Sequence, residues 1–498
     1  MGTTMTENRY GNWVGGREDF DGEPHLLKSP ADGREVATVT YATAPKTNEA
    51  VDVAREAARS WRNSTVPERQ RLLGRLMEQV QSRADVYAFL ESANTGKTLR
   101  QSTFMDIPLG IDNLRYFATT REFVPERRIE HPEFPGTHGV IQHVPMGVVG
   151  AIAPWNVPFL MAVWKLAPAL LAGNTVVLKP SHHTPLTALE LGRDAVAAGF
   201  PPGVVNVLTG TGSVVGDTLL KNPNVNMVSF TGSTKTGLEL MGRAVGLKKF
   251  TMELGGKSPN VVFADADLEQ AAKGVLFGIY LNSGQLCESG SRLILQTSVR
   301  EEFLARLCEL MERMRPGNPM DMETDISAIT TEAQRRKIET MVDAGISAGA
   351  KVRFRRDVSK QTPPGGLFYP PTLLTEVRDD MVVAREEIFG PVLSVMEFEK
   401  ESDAVELANR TDYGLAAGVW TTDLPKAERV ASQIDAGTVW VNEYHLLSAA
   451  APRGGFKNSG IGRELGLEGI LECTQTRHVF VNPEHSDMDD VAYGLLFP

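Results

Sequence analysis

Cysteine is scarce in this chain: only Cys287, Cys308 and Cys473 occur among 498 residues. So few exclude a disulfide framework and point to a reducing compartment. Cys308, inside the helical pattern EEFLARLCELMERM, reads as an inert core residue. Unbroken apolar runs are missing too. The most apolar window, VVGAIAPWNVPFLMAVWKLAPALLAG, is interrupted by Pro154, Trp155, Asn156, Pro158 and Lys165, which suits a buried core and not a membrane span. Basic excess is also absent: 51 basic against 62 acidic residues give a net charge of -11, with no basic cluster. That balance argues against a nucleic-acid or anionic-membrane partner. The N-terminal stretch MGTTMTENRYGNWVGG has no basic segment followed by an apolar one, so the cytoplasm is the expected compartment. No internal repeat, low-complexity block or metal-ligand cluster stands out.

What is present is ordinary for globular chains, with 42% apolar and 23% charged residues, and the length calls for two or three domains. Residues 47–93 read as two amphipathic helices, with Ala and Leu at helical spacing. Short β-type runs then alternate with helices: VVGAIA and a helix from Phe159, TVVLKP and TALELGRDAVAAG, VVNVLTG and VVGDTLLKN, MVSFTG and TKTGLELMGRAV. Such alternation predicts an α/β fold with a parallel sheet wound by crossovers, Rossmann-like in class. From Gly256 to Gly460 it resumes with NVVFAD, SRLILQ, VLSVMEF and AAGVWTT, predicting a second α/β domain. EHPEFPGTHGVIQHVP and TQTRHVFVN read as extended excursions that neither sheet needs. The tail PEHSDMDDVAYGLLFP reads either as a frayed end or as an arm on a neighbouring subunit.

Two segments carry chemistry. LNSGQLCESG sets Cys287 among small and polar neighbours, Gly284, Gln285 and Ser289, where a structural cysteine would have apolar company. TMELGGKSP sets Glu253 before a Gly pair. They suggest a thiol nucleophile and a carboxylate base. The dinucleotide fingerprint G-x-G-x-x-G is absent, GTGSVVG matching its spacing poorly. FTGSTKTG is better placed: a strand ending at Phe230 leads through Gly232 into a helix whose first amides suit a pyrophosphate.

These segments resemble those of the NAD(P)-dependent aldehyde dehydrogenase superfamily, of the hydrolytic, non-acylating type. IAPWNVP, GNTVVLKPS, FTGSTKTG, EEIFGPV and GGFKNSGIGRELG follow in the family's order, from about residue 10 to about residue 482. The resemblance implies a dinucleotide-binding domain over 9–125 and 146–255 and a catalytic domain over 256–460. It further implies a small β oligomerisation element and tail over 126–145 and 474–498, hence a homodimer or homotetramer.

For the cofactor, the resemblance implies Ser233 near the phosphates, with Phe230, Thr231, Gly232, Gly212 and Gly216 around them. It puts Lys179, Ser181 and His182 at the adenosine ribose, Glu387 at the nicotinamide ribose and Phe389 near the nicotinamide. Ile152, Pro154, Trp155, Leu254 and Gly255 pack alongside. NAD is the expected cofactor, with NADP admitted, because His182 stands where NAD-preferring relatives carry a Glu that repels a 2′-phosphate.

For the reaction, the resemblance makes Cys287 the nucleophile, Asn156 and the Cys287 N–H the oxyanion donors, and Glu253 the base that activates water against the thioester. It makes Lys165 and Glu464 a buried pair for proton passage, although such a pair also serves packing alone. CoA-acylating relatives lack the Glu, and a non-catalytic structural protein on the same fold dispenses with Cys287, Glu253 or Asn156; all three are present. The substrate, a small aldehyde, is expected against Val157, Leu160, Trp164, Leu281, Leu286, Glu288, His445, Leu447 and Arg453. That lining suits an apolar aliphatic or unsaturated aldehyde, and no aromatic cluster offers a cage for a quaternary ammonium. Arg453 is expected either to grip an oxygen at the substrate's far end or to pair with Glu288.

Overall fold

The computed structural model describes residues 9–483 and 493–497; most of the tail PEHSDMDDVAYGLLFP therefore lies outside the described residues. Five parallel strands rich in Val, Ala and Met form the middle of an eight-stranded sheet. In space they run Val205–Val207, Thr175–Lys179, Val148–Ile152, Met227–Thr231, Lys249–Glu253. Taken in chain order this is 3-2-1-4-5, the doubly wound arrangement. The order reverses between Val148–Ile152 and Met227–Thr231, and a crevice opens there beyond the strand ends, at the point where such sheets bind ligands. Both strands are buried throughout, as a sheet covered on both faces requires. The helix after the first strand, Pro158–Ala172, is buried along its whole length; it is a core helix, and the apolar window of the sequence is accounted for.

A seven-stranded sheet forms the second unit. Its spatial order is Lys351–Arg355, Thr372–Thr375, Val392–Phe398, Arg292–Gln296, Pro259–Val262, Ala416–Trp420, Thr438–Val441, parallel except for the first strand. Glu253 ends a strand of the first sheet, and Pro259 starts a strand of the second six residues later. The segments bearing Cys287 and Glu387 likewise precede strands of the second sheet, at Arg292 and Val392. Carboxyl ends of strands of the first sheet thus lead to the beginnings of strands of the second.

Three further features position the site. Gly460–Ile461 returns to the first sheet and pairs with Met252 and Glu253. Glu126–Glu130, His138–Pro145 and Thr474–Val481 form a separate antiparallel sheet. The N-terminal strands Asn12–Val14 and Arg17–Asp19 extend the first sheet on its other edge.

The region read as two helices over 47–93 contains three, Ala44–Trp61, Val66–Ser82 and Ala84–Thr95. The break falls at Arg83, which leaves helical geometry and sends its guanidinium to Asp194 at 2.6 Å and to Glu190. A tertiary ion pair, invisible to periodicity, divides the helix.

Candidate active site

The loop that carries Cys287 is sharply wound. After the helix Leu268–Tyr280 the chain turns through positive φ at Asn282 (49°), Ser283 (50°) and Gly284 (72°). Two non-glycine residues in this region mark stored strain, of the kind found at functional sites. Gly284 is required, because a Cβ there would collide with the Gly390 carbonyl of the EEIFGPV turn. The buried Gln285 side chain holds the turn, donating to Asn282 O and Ala328 O at 3.0 Å and accepting from Thr330 N at 2.9 Å.

Asn156 lies in the loop after Val148–Ile152 and is tied to this turn from both sides. Its Nδ2 donates to Gln285 O at 2.8 Å, and its own carbonyl accepts from Asn282 Nδ2 at 3.2 Å. One side-chain N–H of Asn156 remains for another acceptor.

The Cys287 thiol donates to Glu288 Oε2 at 3.2 Å. Burial pushes the thiol well above its ordinary value, the neighbouring Glu288 adds to the rise, and Arg453 opposes it. Glu253 is 4% exposed and its Oε1 has no hydrogen-bond partner. Burial first and the nearby Glu464 second push this carboxyl up to about 8, against Arg453 and Lys165. Lys165 and Glu464 are joined at 2.7 Å, and Ser229 Oγ bridges them at 3.1 and 3.0 Å.

One cleft gathers most of the residues expected at the cofactor. Pro154, Trp155, Asn156, Thr231, Gly232, Ser233, Leu254, Gly255, Glu387, Phe389 and Cys287 all line it. Ser233 caps the helix Thr234–Arg243, accepting from Thr236 N, so the first amides of that helix face the crevice mouth. Thr231 Oγ1 is buried without a partner. Glu387 accepts from Gly256 N at 3.0 Å, and a Cβ on Gly255 would lie 2.7 Å from its carboxylate. Trp155 meets Phe389 edge to face at 5.2 Å. Gln334 and Lys337, from the helix Glu332–Ser347, line the cleft as well. Gln334 donates to the carbonyls of Ile388 and Phe389. Neither residue sits in a motif, so the sequence offered no signal for them.

Lys179, Ser181 and His182 gather at the end of Thr175–Lys179 and do not line this cleft. Lys179 is 3% exposed, its ammonium meets the Pro180 carbonyl at 2.9 Å, and burial brings it down to about 8. Gly216 faces this corner, where a Cβ would touch Ile152 and Lys179; Gly212 faces open space. Burial, with His183 and Lys179 beside it, brings His182 down to about 4, so the ring is neutral at pH 7.

On the other flank, Val157, Leu160, Trp164 and Leu286 are buried in one apolar cluster, with Leu281 and Leu447 packed on it. A cavity of about 540 Å³, mostly apolar, opens on Leu281, His445, Phe104, Phe277, Tyr280 and Leu446. Arg453 is not free to reach the far end of a substrate. Its Nη2 donates to Glu288 Oε2 at 2.6 Å, and it lies 5.9 and 5.7 Å from the rings of Trp164 and Trp440. Of the two readings of Arg453, the pair with Glu288 is the one observed. Trp440, absent from the sequence expectations, comes from a strand distant from every motif.

A doubly wound sheet whose crevice is lined by Asn156 and the half-buried Cys287, with a helix N-terminus at its mouth, fits a dinucleotide-dependent oxidoreductase. The chain belongs to the aldehyde dehydrogenase family, whose profile matches residues 19–479. It is 39% identical over 477 residues, 95% of this chain and 96% of the relative, to the betaine aldehyde dehydrogenase of Bacillus subtilis (strain 168). It is 41% identical over 459 residues, 91% and 88% of the two chains, to human (Homo sapiens) retinal dehydrogenase 2. Among solved structures it matches the betaine aldehyde dehydrogenase from Staphylococcus aureus in complex with NAD+, with a TM-score of 0.92, 36% identity and coverage of 96% and 95%. An NAD-dependent aldehyde dehydrogenase from Sinorhizobium meliloti gives a TM-score of 0.93, 38% identity and 96% coverage of each chain. No helix among the described residues is long and apolar enough to cross a membrane.

Proposed function

We propose that this chain oxidises an apolar aliphatic or unsaturated aldehyde to the carboxylic acid with NAD, using Cys287 as nucleophile and water as acyl acceptor. The observation that carries this reading is that Cys287 lines the same cleft as Thr231, Ser233, Glu387 and Phe389. The residues fit the dinucleotide: the first amides of the helix Thr234–Arg243, of which Ser233 caps only that of Thr236, suit the pyrophosphate, the unpartnered Thr231 hydroxyl and Glu387 suit polar groups of the nicotinamide half, and Lys179 suits ribose hydroxyls. When bound, the nicotinamide supplies the acceptor for the hydride that the aldehyde carbon gives up.

The chain's own residues do the remainder. Cys287, its proton released to solvent, adds as the thiolate to the carbonyl carbon, and the carbonyl π pair moves onto oxygen, leaving a tetrahedral, electron-rich centre. The free N–H of Asn156 and the Cys287 N–H hold the developing oxyanion, and their fixed orientation spares reorganisation. After oxidation the acyl group is a thioester on Cys287. Glu253, once ionised, takes a proton from the attacking water, and its raised value suits a base near neutral pH. Lys165 and Glu464 keep that carboxyl in its tuned field and offer the proton a next acceptor.

Trp164 and Trp440 are the aromatic faces that a quaternary ammonium would seek, but Arg453 already occupies them. This argues against betaine aldehyde as substrate despite the names of several relatives. The apolar cavity at Phe104, Phe277 and Leu446 favours a hydrocarbon chain. A neutral His182 puts no charge against a 2′-phosphate, so NADP is accepted beside NAD. The separate three-stranded sheet, with Phe134 and Phe480 exposed, is the surface we assign to a homodimer or homotetramer. With that we keep the division into cofactor, catalytic and oligomerisation units and a cytoplasmic location.

The test is a panel of alkanals, alkenals and a trimethylammonium aldehyde, assayed by nicotinamide reduction with each coenzyme and without CoA. Turnover of the alkanals without CoA supports the reading. Strict dependence on CoA would replace water by CoA as the acceptor.

A further inference from the structure

Glu288 is a buried carboxylate whose every partner bears on the nucleophile beside it. Oε2 is shared by Arg453 Nη2 at 2.6 Å and the Cys287 thiol at 3.2 Å. Oε1 faces His445 Nδ1 at 3.4 Å, and the other ring nitrogen of His445 faces the Gly278 carbonyl at 3.1 Å. A charge this deep is costly unless paired, and Glu288 is paired by Arg453, which lies 165 positions away in the chain. Arg453 in turn is boxed between Trp164 and Trp440 and cannot follow the carboxylate elsewhere.

We propose that Glu288 is a positioning residue for the nucleophile: its carboxylate latches the Cys287 thiol in one rotamer as the protonated form, and Arg453 and His445 hold the latch. The proposal rests on Cys287 being the nucleophile and adds how its sulfur is stored and released.

The charged groups that bear on the sulfur are few. Glu288 comes from its own loop, Arg453 from the segment bridged to Glu464, and Glu253 from the end of the cofactor-sheet strand. Glu253 raises the thiol in the same direction as Glu288 and ranks below it. Lys165 and Glu464 act on Glu253 and compensate one another. The anion in contact with the sulfur is Glu288, which accepts its S–H, and the cation is Arg453. An anion that accepts the S–H bond favours thiol over thiolate, whereas the guanidinium favours thiolate. The two partners of one ion pair thus have opposite effects on the same sulfur. Pure packing support would not produce that signature.

The experiment is the rate of Cys287 alkylation by iodoacetamide against pH, in the full-length enzyme without aldehyde or coenzyme, followed by peptide mass so that Cys308 is scored separately. In the wild type the midpoint should lie above that of a free thiol, about 8.5. Glu288→Gln, close to isosteric, should lower the midpoint by a unit or more, giving about tenfold faster alkylation below the wild-type midpoint. Arg453→Met should raise it. A wild-type midpoint at or below the free-thiol value overturns the latch, and this arm needs no variant to fold. So does an unchanged midpoint in Glu288→Gln, or a shift of both variants in the same direction. Because no aldehyde enters the assay, failure of the latch leaves the aldehyde reading standing, and an aldehyde panel without turnover leaves the latch standing.

Discussion

Arg453 and Glu464 are joined backbone to backbone, each N–H donating to the other's carbonyl at 2.6 and 2.7 Å. From this bridge the Arg453 side chain runs to Glu288 beside Cys287, and the Glu464 side chain runs to Lys165 within electrostatic reach of Glu253. One backbone pairing therefore bears on the field at both Cys287 and Glu253. A distortion of the APRGG turn should disturb both half-reactions together.

Cys287→Ala should abolish aldehyde oxidation and leave coenzyme binding intact, because the thiol forms the covalent bond but holds none of the dinucleotide's polar groups. Asn156→Ala should keep the nucleophile and lose turnover by roughly a hundredfold to a thousandfold, the usual effect of removing one oxyanion donor. Steady-state turnover and coenzyme titration of the purified variants check both. Retained turnover in the first would remove Cys287 from the mechanism.

Glu253→Gln should preserve a pre-steady-state burst of reduced coenzyme while steady turnover falls, since only thioester hydrolysis needs the base. In the wild type, turnover limited by that hydrolysis should rise as pH passes through about 8, where Glu253 ionises; the variant should lack this rise. Burial raises the Glu253 carboxyl from its ordinary 4.5. Glu253 contributes stability that is complete below 4.5 and is lost as pH rises through about 8. Apparent Tm measured at pH 5 and pH 9 should therefore fall more in wild type than in Glu253→Gln.

Lys165→Met leaves Glu464 buried without its cation and should destabilise the protein by about 3–5 kcal/mol. Replacing both partners, Lys165→Met with Glu464→Met, should recover much of that loss, because no isolated charge remains. Denaturant midpoints for the single and double variants decide it; equal losses would mean that the stranded Glu464 charge is not the cause.

His182→Glu should raise discrimination for NAD over NADP by adding an acceptor for the ribose hydroxyl and a charge against the 2′-phosphate. The ratio of kcat/KM for the two coenzymes reads this directly. Wild type that rejects NADP, with a variant that behaves identically, would remove His182 from coenzyme choice.

A trimethylammonium aldehyde should be a poorer substrate than a neutral alkanal of similar length, because Arg453 fills the space between Trp164 and Trp440. Arg453→Leu should impair a carboxylated semialdehyde and its matching alkanal to a similar degree, since Arg453 is committed to Glu288. Selective loss on the semialdehyde would return Arg453 to direct contact with substrate.

The sequence by itself determined a great deal here. Short apolar β-type runs alternating with helical patterning made the α/β fold legible, because parallel strands buried on both faces and amphipathic helices write their packing into residue order. Cys287, Glu253 and Asn156 stood out as candidates because each sits in a short segment whose chemistry is local: small residues around a thiol, a Gly pair after a carboxylate, an amide between prolines. Tertiary structure decided what depends on residues far apart in the chain. The break at Arg83 came from Asp194 and Glu190, the lining by Gln334 and Lys337 came from a helix with no motif, and the boxing of Arg453 came from Trp164 and Trp440. Above all, only the fold turned Arg453 from a candidate substrate contact into the partner of Glu288. A charge's role depends on which opposite charge shares its low-dielectric surroundings, and in this chain those partners are 165 residues apart.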